Sequence, residues 1–190
     1  ALFGVGSVAL HDVRRAQVQI GERVLVVGAG PVGQCTAQFA RLAGAVVTVC
    51  DLDQHRLDIA AELDAHSTLI PDEDWANIVA RGPFDCAIED SGAPILDHLV
   101  GAHPDNGVIK HRGRAVLIAG RDRVDYRFNR GQGSELSILH ASHFTADDLL
   151  EVCRLATEGT FNTAPLIHDQ VPYSEMKGIY DHLRDDPTSL

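Results

Sequence analysis

Six residues near the start of the chain, Gly28-Ala29-Gly30-Pro31-Val32-Gly33, and a carboxylate further on, Asp51, have types and a spacing that suit binding of a phosphorylated ligand. In a G-x-G-x-x-G turn the first glycine permits a tight exit from a strand. The second lets the backbone approach a pyrophosphate, and the third lets the following helix pack closely on the strand. The flanks fit this reading: an apolar run, 24–27, enters the turn and a helix-like stretch, 34–42, leaves it. Pro31 falls near the helix start, where its missing N–H costs little. Such a helix offers unpaired N–H groups and the positive end of its dipole to phosphates. A second apolar run, 46–50, ends on Asp51, whose carboxylate can accept both hydroxyls of an adenosine ribose. The same charge repels a 2′-phosphate, so the pattern predicts NAD over NADP. Arg56 reads either as a cover for that ribose or as a solvated helix charge; pairing with a 2′-phosphate is a third option that Asp51 opposes.

Other chemistry is less well supported. The ten histidines invite metal sites. His103 and His111 flank Asp105 on an expected loop, where surface histidines are the plainer reading. His140 and His143 fall near a strand end, as a proton relay or as packed or interface residues. Asp85, Glu89 and Asp90 form a carboxylate group that strand alternation splits, so a catalytic acid pair is not expected and capping or solvation of the strand tip is. No Ser-His-Asp or Cys-His constellation follows from spacing. Neither a catalytic residue nor a metal ligand is assigned.

The elements that must position the glycine turn follow from local patterns. Helices are expected over 7–17, 34–42, 54–63, 72–80, 94–103, 145–158 and 175–183. Strands are expected over 23–27, 45–50, 67–70, 84–89, 114–118 and 135–142, with short ones at 126–128 and 166–167. Asp53, Thr145 and Ser174 read as N-caps. Strand and helix alternate without repeats, which predicts an α/β, Rossmann-type, doubly wound parallel sheet of about six strands with helices on both faces. The order 3-2-1-4-5-6 would place a crevice beside the first strand, where the glycine turn lies.

Composition bounds the rest. A net charge of −11 without a basic run argues against nucleic acid. Arg112 with Arg114, or Arg121 with Arg123, reads as a solvated loop. No apolar stretch reaches the roughly 18 residues of a membrane span. The four cysteines are widely spaced, with neither a disulfide framework nor a C-x-x-C knuckle, which predicts a reducing, cytoplasmic protein. The chain begins on Ala1 rather than Met and reads as part of a longer protein.

Ser7-Val8-Ala9-Leu10-His11, followed by Gly21-Glu22-Arg23-Val24-Leu25-Val26-Val27 and the glycine turn, resembles the zinc-dependent alcohol dehydrogenases of the medium-chain dehydrogenase/reductase superfamily. The sorbitol and threonine dehydrogenase branches are nearest. Arg41-Leu42-Ala43-Gly44-Ala45, Asp51-Leu52-Asp53, Glu89-Asp90-Ser91-Gly92, Leu117-Ile118-Ala119-Gly120, Glu135-Leu136-Ser137-Ile138 and Pro172-Tyr173-Ser174-Glu175 extend the likeness over essentially the whole chain.

The resemblance implies that Gly28, Gly30, Pro31, Val32 and Gly33 form the pyrophosphate turn and that Asp51, Leu52 and Arg56 hold the adenosine. It implies that Ser91 lies along the path from ribose to nicotinamide, and that Ala119, Gly120, Ala141 and His143 border the nicotinamide. In such enzymes a second domain carries a catalytic zinc that polarises a small-molecule alcohol or polyol substrate. On this reading that domain is missing here, residues 1–20 lead in from it, and 21–190 form the NAD-binding domain, inactive alone. Zinc would belong only to the missing part. The family joins sheet edges into dimers, so a homodimer through 134–143 is expected. One departure is Pro104 to Arg112, longer than the family's turn before the fifth strand. Alternatives are a stand-alone NADH-sensing module, a zinc-free quinone or enoyl reductase domain, which Asp51 weighs against, and a flavin-binding domain.

Overall fold

A computed structural model describes residues 2–101, 107–168 and 170–185. Along the chain run α1 (Phe3–Ala16), β1 (Arg23–Val27), α2 (Pro31–Leu42), β2 (Val46–Cys50), α3 (Gln54–Glu62) and β3 (Ser67–Leu69). Then come α4 (Ala76–Arg81), β4 (Phe84–Glu89), α5 (Leu96–Val100), β5 (Ile109–Leu117), α6 (Phe128–Gly133), β6 (Ser137–His140), α7 (Ala146–Thr157) and α8 (Met176–Asp185). The strands form one parallel sheet in the order β3-β2-β1-β4-β5-β6. The expected fold class and strand order are therefore both present. The chain winds outward from β1 to β3, then restarts at β4 on the other side, leaving a switch point between β1 and β4.

Alternate strand residues serve opposite faces. Val24, Val26, Val47, Val49, Ile88 and Val116 share a core with α1, α2 and α7 through Ala9, Val13, Phe39, Ala40 and Val152. Leu25, Val27, Ala87, Ala115 and Leu117 share the other with Ile78, Leu96 and Leu99 of α4 and α5. Covering both faces explains why the strands read as unbroken apolar runs. Three cysteines are buried in these layers. Burial pushes Cys35, Cys50 and Cys86 up to about 12, so they act as small apolar side chains and not as nucleophiles.

Helix α1 is tied to α7 by charge as well as by packing. The capping box of α7 joins Thr145 to Asp148. Asp148 also meets His11 at 2.9 Å and accepts from Arg14 at 2.6 Å. Burial would raise the Asp148 carboxyl, but the hydrogen bonds from Thr145, Arg14 and His11 hold it down to about 2.

The structure corrects several element boundaries. Strand β5 begins at Ile109, before the expected 114, so part of the polar stretch before Gly113 belongs to the sheet. Ile109 pairs with Phe84, and the register then shifts before Arg114 pairs with Cys86. With only one apolar residue among Ile109, Lys110, His111 and Arg112, this strand end gave no periodic signal. Pro104, Asp105 and His103 lie outside the described residues. Phe128–Gly133 is helical where a loop and short strand were expected, with Gly131 buried close to the Tyr126 ring. Strand β6 spans four residues, because Ser134 to Leu136 turn back on α6 through Ser134 N–H to Arg130 O and Leu136 N–H to Gly131 O. Ala164–Leu166 is a one-turn 3₁₀ helix rather than a strand, and a second such turn, Tyr173–Glu175, replaces the expected Ser174 cap. Helix α4 starts at Ala76, later than expected, after Trp75 in the left-handed region.

Candidate functional site

The glycine turn owes its shape to contacts inside the chain at two positions. Gly28 has φ +97°, and a Cβ there would stand 2.9 Å from Ser91 N. At Gly33 a Cβ would fall 1.8 Å from the carbonyl oxygen of Gly28, so only glycine lets α2 lie this close to the end of β1. Gly30 differs. Its φ is an ordinary −69° and a Cβ would meet no atom of the described residues within 4 Å. Nothing internal requires glycine there.

Helix α2 opens without help from a side chain. Its N-cap is Gly30, no side chain caps it, and its first turn carries no acid. The first intrahelical bond runs from Gln34 N–H to Gly30 O, and Pro31 has no N–H. The amides of Val32 and Gly33 thus stand ahead of the hydrogen-bond ladder at the positive end of the helix. By contrast α3 is capped by Asp53 and α7 by Thr145, as the sequence predicted.

A cleft of about 580 Å³ opens at this turn, across the ends of β1, β2 and β4. It brings together Gly28, Gly30, Asp51, Leu52, Arg56 and Ser91 among the expected residues, and adds Pro71, Trp75, Asp90 and Ile95. Asp51 does more than its spacing suggested. Oδ2 accepts from Ala29 N–H at 2.6 Å and Oδ1 from Asp53 N–H at 2.9 Å, so the carboxylate clamps the tip of β2 to the glycine turn. A carboxylate has about four lone-pair sites, which leaves capacity for further donors. Leu52 is 80% exposed, an apolar side chain held open at the cleft. Trp75, the chain's single tryptophan, closes the cleft from α4 and stacks on His98 at 5.2 Å.

The tips of β4 and β5 are locked by Glu89, expected to cap or solvate the strand tip, together with Arg121, expected in a solvated loop. Glu89 is fully buried and accepts from the amides of Ser91 and Gly92, both at 2.9 Å, and from the Ser91 hydroxyl. Arg121 closes the arrangement by pairing with Glu89 while donating to Ala119 O and Ala93 O. Glu89 is therefore a cap with its own cation, not a solvated tip. Asp85, at the opposite end of β4, pairs with Lys110 and accepts from Arg23 N–H at 2.7 Å. The arginines read as a solvated loop are all paired: Arg112 with Glu135, Arg114 with Glu22, Arg121 with Glu89 and Arg123 with Asp125.

Ala119, Gly120 and Ala141 border a separate depression of about 330 Å³ shared with Arg121 and His140. His143 is exposed with φ 57° and lines neither hollow. Pro31 faces a different groove, beside Gln34 and His55. Val32 and Gly33 contribute through backbone and packing.

A parallel sheet wound both ways from β1, with a glycine turn at the switch point, defines a Rossmann-type domain. The family model for zinc-binding dehydrogenases matches residues 31–158, and the chain belongs to that family. It is 28% identical over 192 residues to the 2-dehydro-3-deoxy-L-galactonate 5-dehydrogenase of Pseudoalteromonas atlantica, a match covering 97% of this chain and 54% of that protein. Sorbitol dehydrogenase 1 of Saccharomyces cerevisiae is 26% identical over 189 residues, 93% of this chain and 52% of the yeast protein. The cobalt- and zinc-bound thermostable alcohol dehydrogenase of Pyrobaculum aerophilum superposes with a TM-score of 0.81 at 26% identity, covering 96% of this chain and 52% of that one. The chain thus spans about half the length of the relatives it matches. Among the described residues no helix is long and apolar enough to cross a membrane.

Proposed function

We propose that residues 21–190 form the NAD(H)-binding domain of a zinc-type dehydrogenase that transfers hydride between a small alcohol or polyol and NAD. The observation that carries this reading is Gly30. It lines the cleft at an uncapped helix N-terminus, in an unstrained conformation, where a Cβ would touch none of the described residues. Its lack of a side chain is accounted for by a ligand that fills the space. A pyrophosphate suits the free amides of Val32 and Gly33, and the apolar walls at Leu52, Pro71 and Ile95 suit an adenine. Asp51 is clamped by two backbone amides and so pre-oriented toward ribose hydroxyls, with Arg56 alongside.

When bound, the nicotinamide supplies the hydride acceptor or donor. The residues of this chain bind and orient it. The Glu89–Arg121 pair fixes Ser91, Ala119 and Gly120 around the path from the cleft to the depression at Ala141. No catalytic residue is assigned within the chain. Substrate contacts and zinc ligation fall to the remainder of a longer protein.

Asp51→Ala is expected to weaken NADH binding on the order of 10–100-fold, since hydrogen bonds to a charged group are each worth roughly 1.5–3 kcal/mol. NADP(H) should bind more weakly than NAD(H) to the parent chain and gain relative to it in the variant. Calorimetric titration of both cofactors checks this, and tighter NADP binding by the parent chain would sink it.

The outer edge of β6 is the surface proposed for the homodimer. Ser137 and His140 are exposed there, with Ile138 and Leu139 half-buried between them. An unpaired strand edge is a template for a second chain. Size-exclusion chromatography with light scattering is expected to give twice the chain mass, and a strict monomer at micromolar concentration would count against it.

A further inference from the structure

Behind the glycine turn the fold buries two carboxylates that cofactor contacts do not explain. Asp12, on α1, is fully buried, and neither of its oxygens has a hydrogen-bond partner among the described residues. Asp90, the residue after β4, borders the cleft, yet both its carboxylate oxygens are out of solvent and likewise unpartnered. Its Oδ2 lies 3.6 Å from where a Cβ on Gly33 would stand, which puts the carboxylate against the first turn of α2. That is the turn whose first amides stand ahead of the hydrogen-bond ladder, next to Gly30 at the cleft. The same helix N-terminus would therefore lie close to two anions, the Asp90 carboxyl and, under the proposed function, a pyrophosphate.

The groups facing this pair are few. Asp12 faces Asp90 from α1, and Glu89, already neutralised by Arg121, faces it from β4. From α2 come the buried Cys35 thiol and the Thr36 hydroxyl, the latter a polar neighbour without a formed hydrogen bond. Burial, with the charge of Asp90 adding to it, pushes Asp12 up to about 8. Burial pushes Asp90 up to about 7, the Thr36 hydroxyl opposing this and the Glu89 charge adding to it. Two buried carboxylates with no cation paired to either among the described residues cannot both ionise cheaply.

We propose that Asp12 and Asp90 form a proton-linked switch beneath the phosphate turn: the neutral pair admits the dinucleotide, and the ionised pair repels its pyrophosphate. This rests on the cleft being the NAD site. The sign follows from linkage. Both carboxyls hold protons more tightly folded than at their ordinary value of 3.8. Stability therefore falls as pH rises from that value toward about 7 to 8. A bound polyanion raises the carboxyl values further, so binding takes up a proton across the neutral range.

The test is NADH titration of the chain and of Asp90→Asn from about pH 6 to about pH 9, with calorimetry in two buffers of different ionisation enthalpy. The parent chain should lose affinity about tenfold over that range, the equivalent of one pKa unit of coupling, and should take up protons on binding. Asp90→Asn should bind with little pH dependence and without that uptake. Asp12→Asn should keep a loss of affinity but move it to lower pH, because Asp90 ionises more easily without a second carboxylate beside it. Parallel profiles for the parent and Asp90→Asn, or binding by the parent without proton uptake, overturn the switch while leaving the cofactor reading intact. Failure of the parent chain to bind NADH at any pH overturns both. Should Asp90→Asn not fold, the parent's proton uptake alone decides.

Discussion

Gly33→Ala is expected to lower stability by about 3 kcal/mol or more, because the new Cβ would land inside the van der Waals sphere of the Gly28 carbonyl. Both partners are backbone in the tightest part of the turn, so neither can move without separating α2 from β1. For a domain of this size that corresponds to a fall in Tm of roughly 6–12 °C. Gly30→Ala is the companion measurement. Its Cβ meets nothing and its φ is ordinary, so the fold should hold or gain about 0.4–1 kcal/mol through a stiffer unfolded chain. The NADH affinity of that variant should nevertheless drop severalfold, since the methyl occupies space that the proposal gives to the pyrophosphate. Thermal melts and cofactor titrations on the two variants separate the glycine that holds the fold from the glycine proposed to face the ligand. If Gly33→Ala melts with the parent, the close approach of helix and strand is not what that position secures.

Arg121→Ala should be about as damaging by a different route. It leaves the Glu89 carboxylate fully buried without its cation, and breaking a buried pair from one side typically costs about 3–5 kcal/mol. Three donors from Ser91 and Gly92 would still reach Glu89. They soften the loss but cannot supply a charge. The double variant Glu89→Gln with Arg121→Met removes both charges together and should recover much of the stability, so the two changes should be strongly non-additive in a double-mutant cycle. NADH affinity should suffer in the single variant beyond any loss of folded protein, because Arg121 also holds Ala119 O and Ala93 O at the two strand tips. Denaturant titration gives the stabilities. A cost below about 1 kcal/mol for Arg121→Ala would mean that the pair is no more than a screened surface contact.

Features carried by neighbouring residues are legible in the amino-acid order alone. The glycine turn, the apolar runs at β1 and β2, and the caps Asp53 and Thr145 are all local, and each does locally what its residue types predict. Periodicity fails where local chemistry is ambiguous. In β5 the buried Ile109 is followed by three exposed polar residues, Lys110, His111 and Arg112, which hide the strand start. Helix α6 contains Gly131 and Gly133, which argue against a helix, and it forms with Gly131 packed beside Tyr126. The Ser174 cap fails because the chain enters α8 through a 3₁₀ turn. At the candidate site the sequence locates the pyrophosphate turn and the acid of β2. Of the residues that the resemblance sets around a nicotinamide, Ala119, Gly120 and Ala141 line one depression with Arg121 and His140, and His143 does not.

The sequence by itself determined the fold class, the strand order and the place of the cleft, because strand–helix alternation with a glycine turn after β1 leaves few chain paths through a doubly wound sheet. Tertiary structure alone decided which buried charges meet. Glu89 finds Arg121 across two strand tips, and Asp12 faces Asp90 from a helix far away in sequence. Burial sets the energy of such charges and the fold sets their neighbours, and neither is written in local residue types.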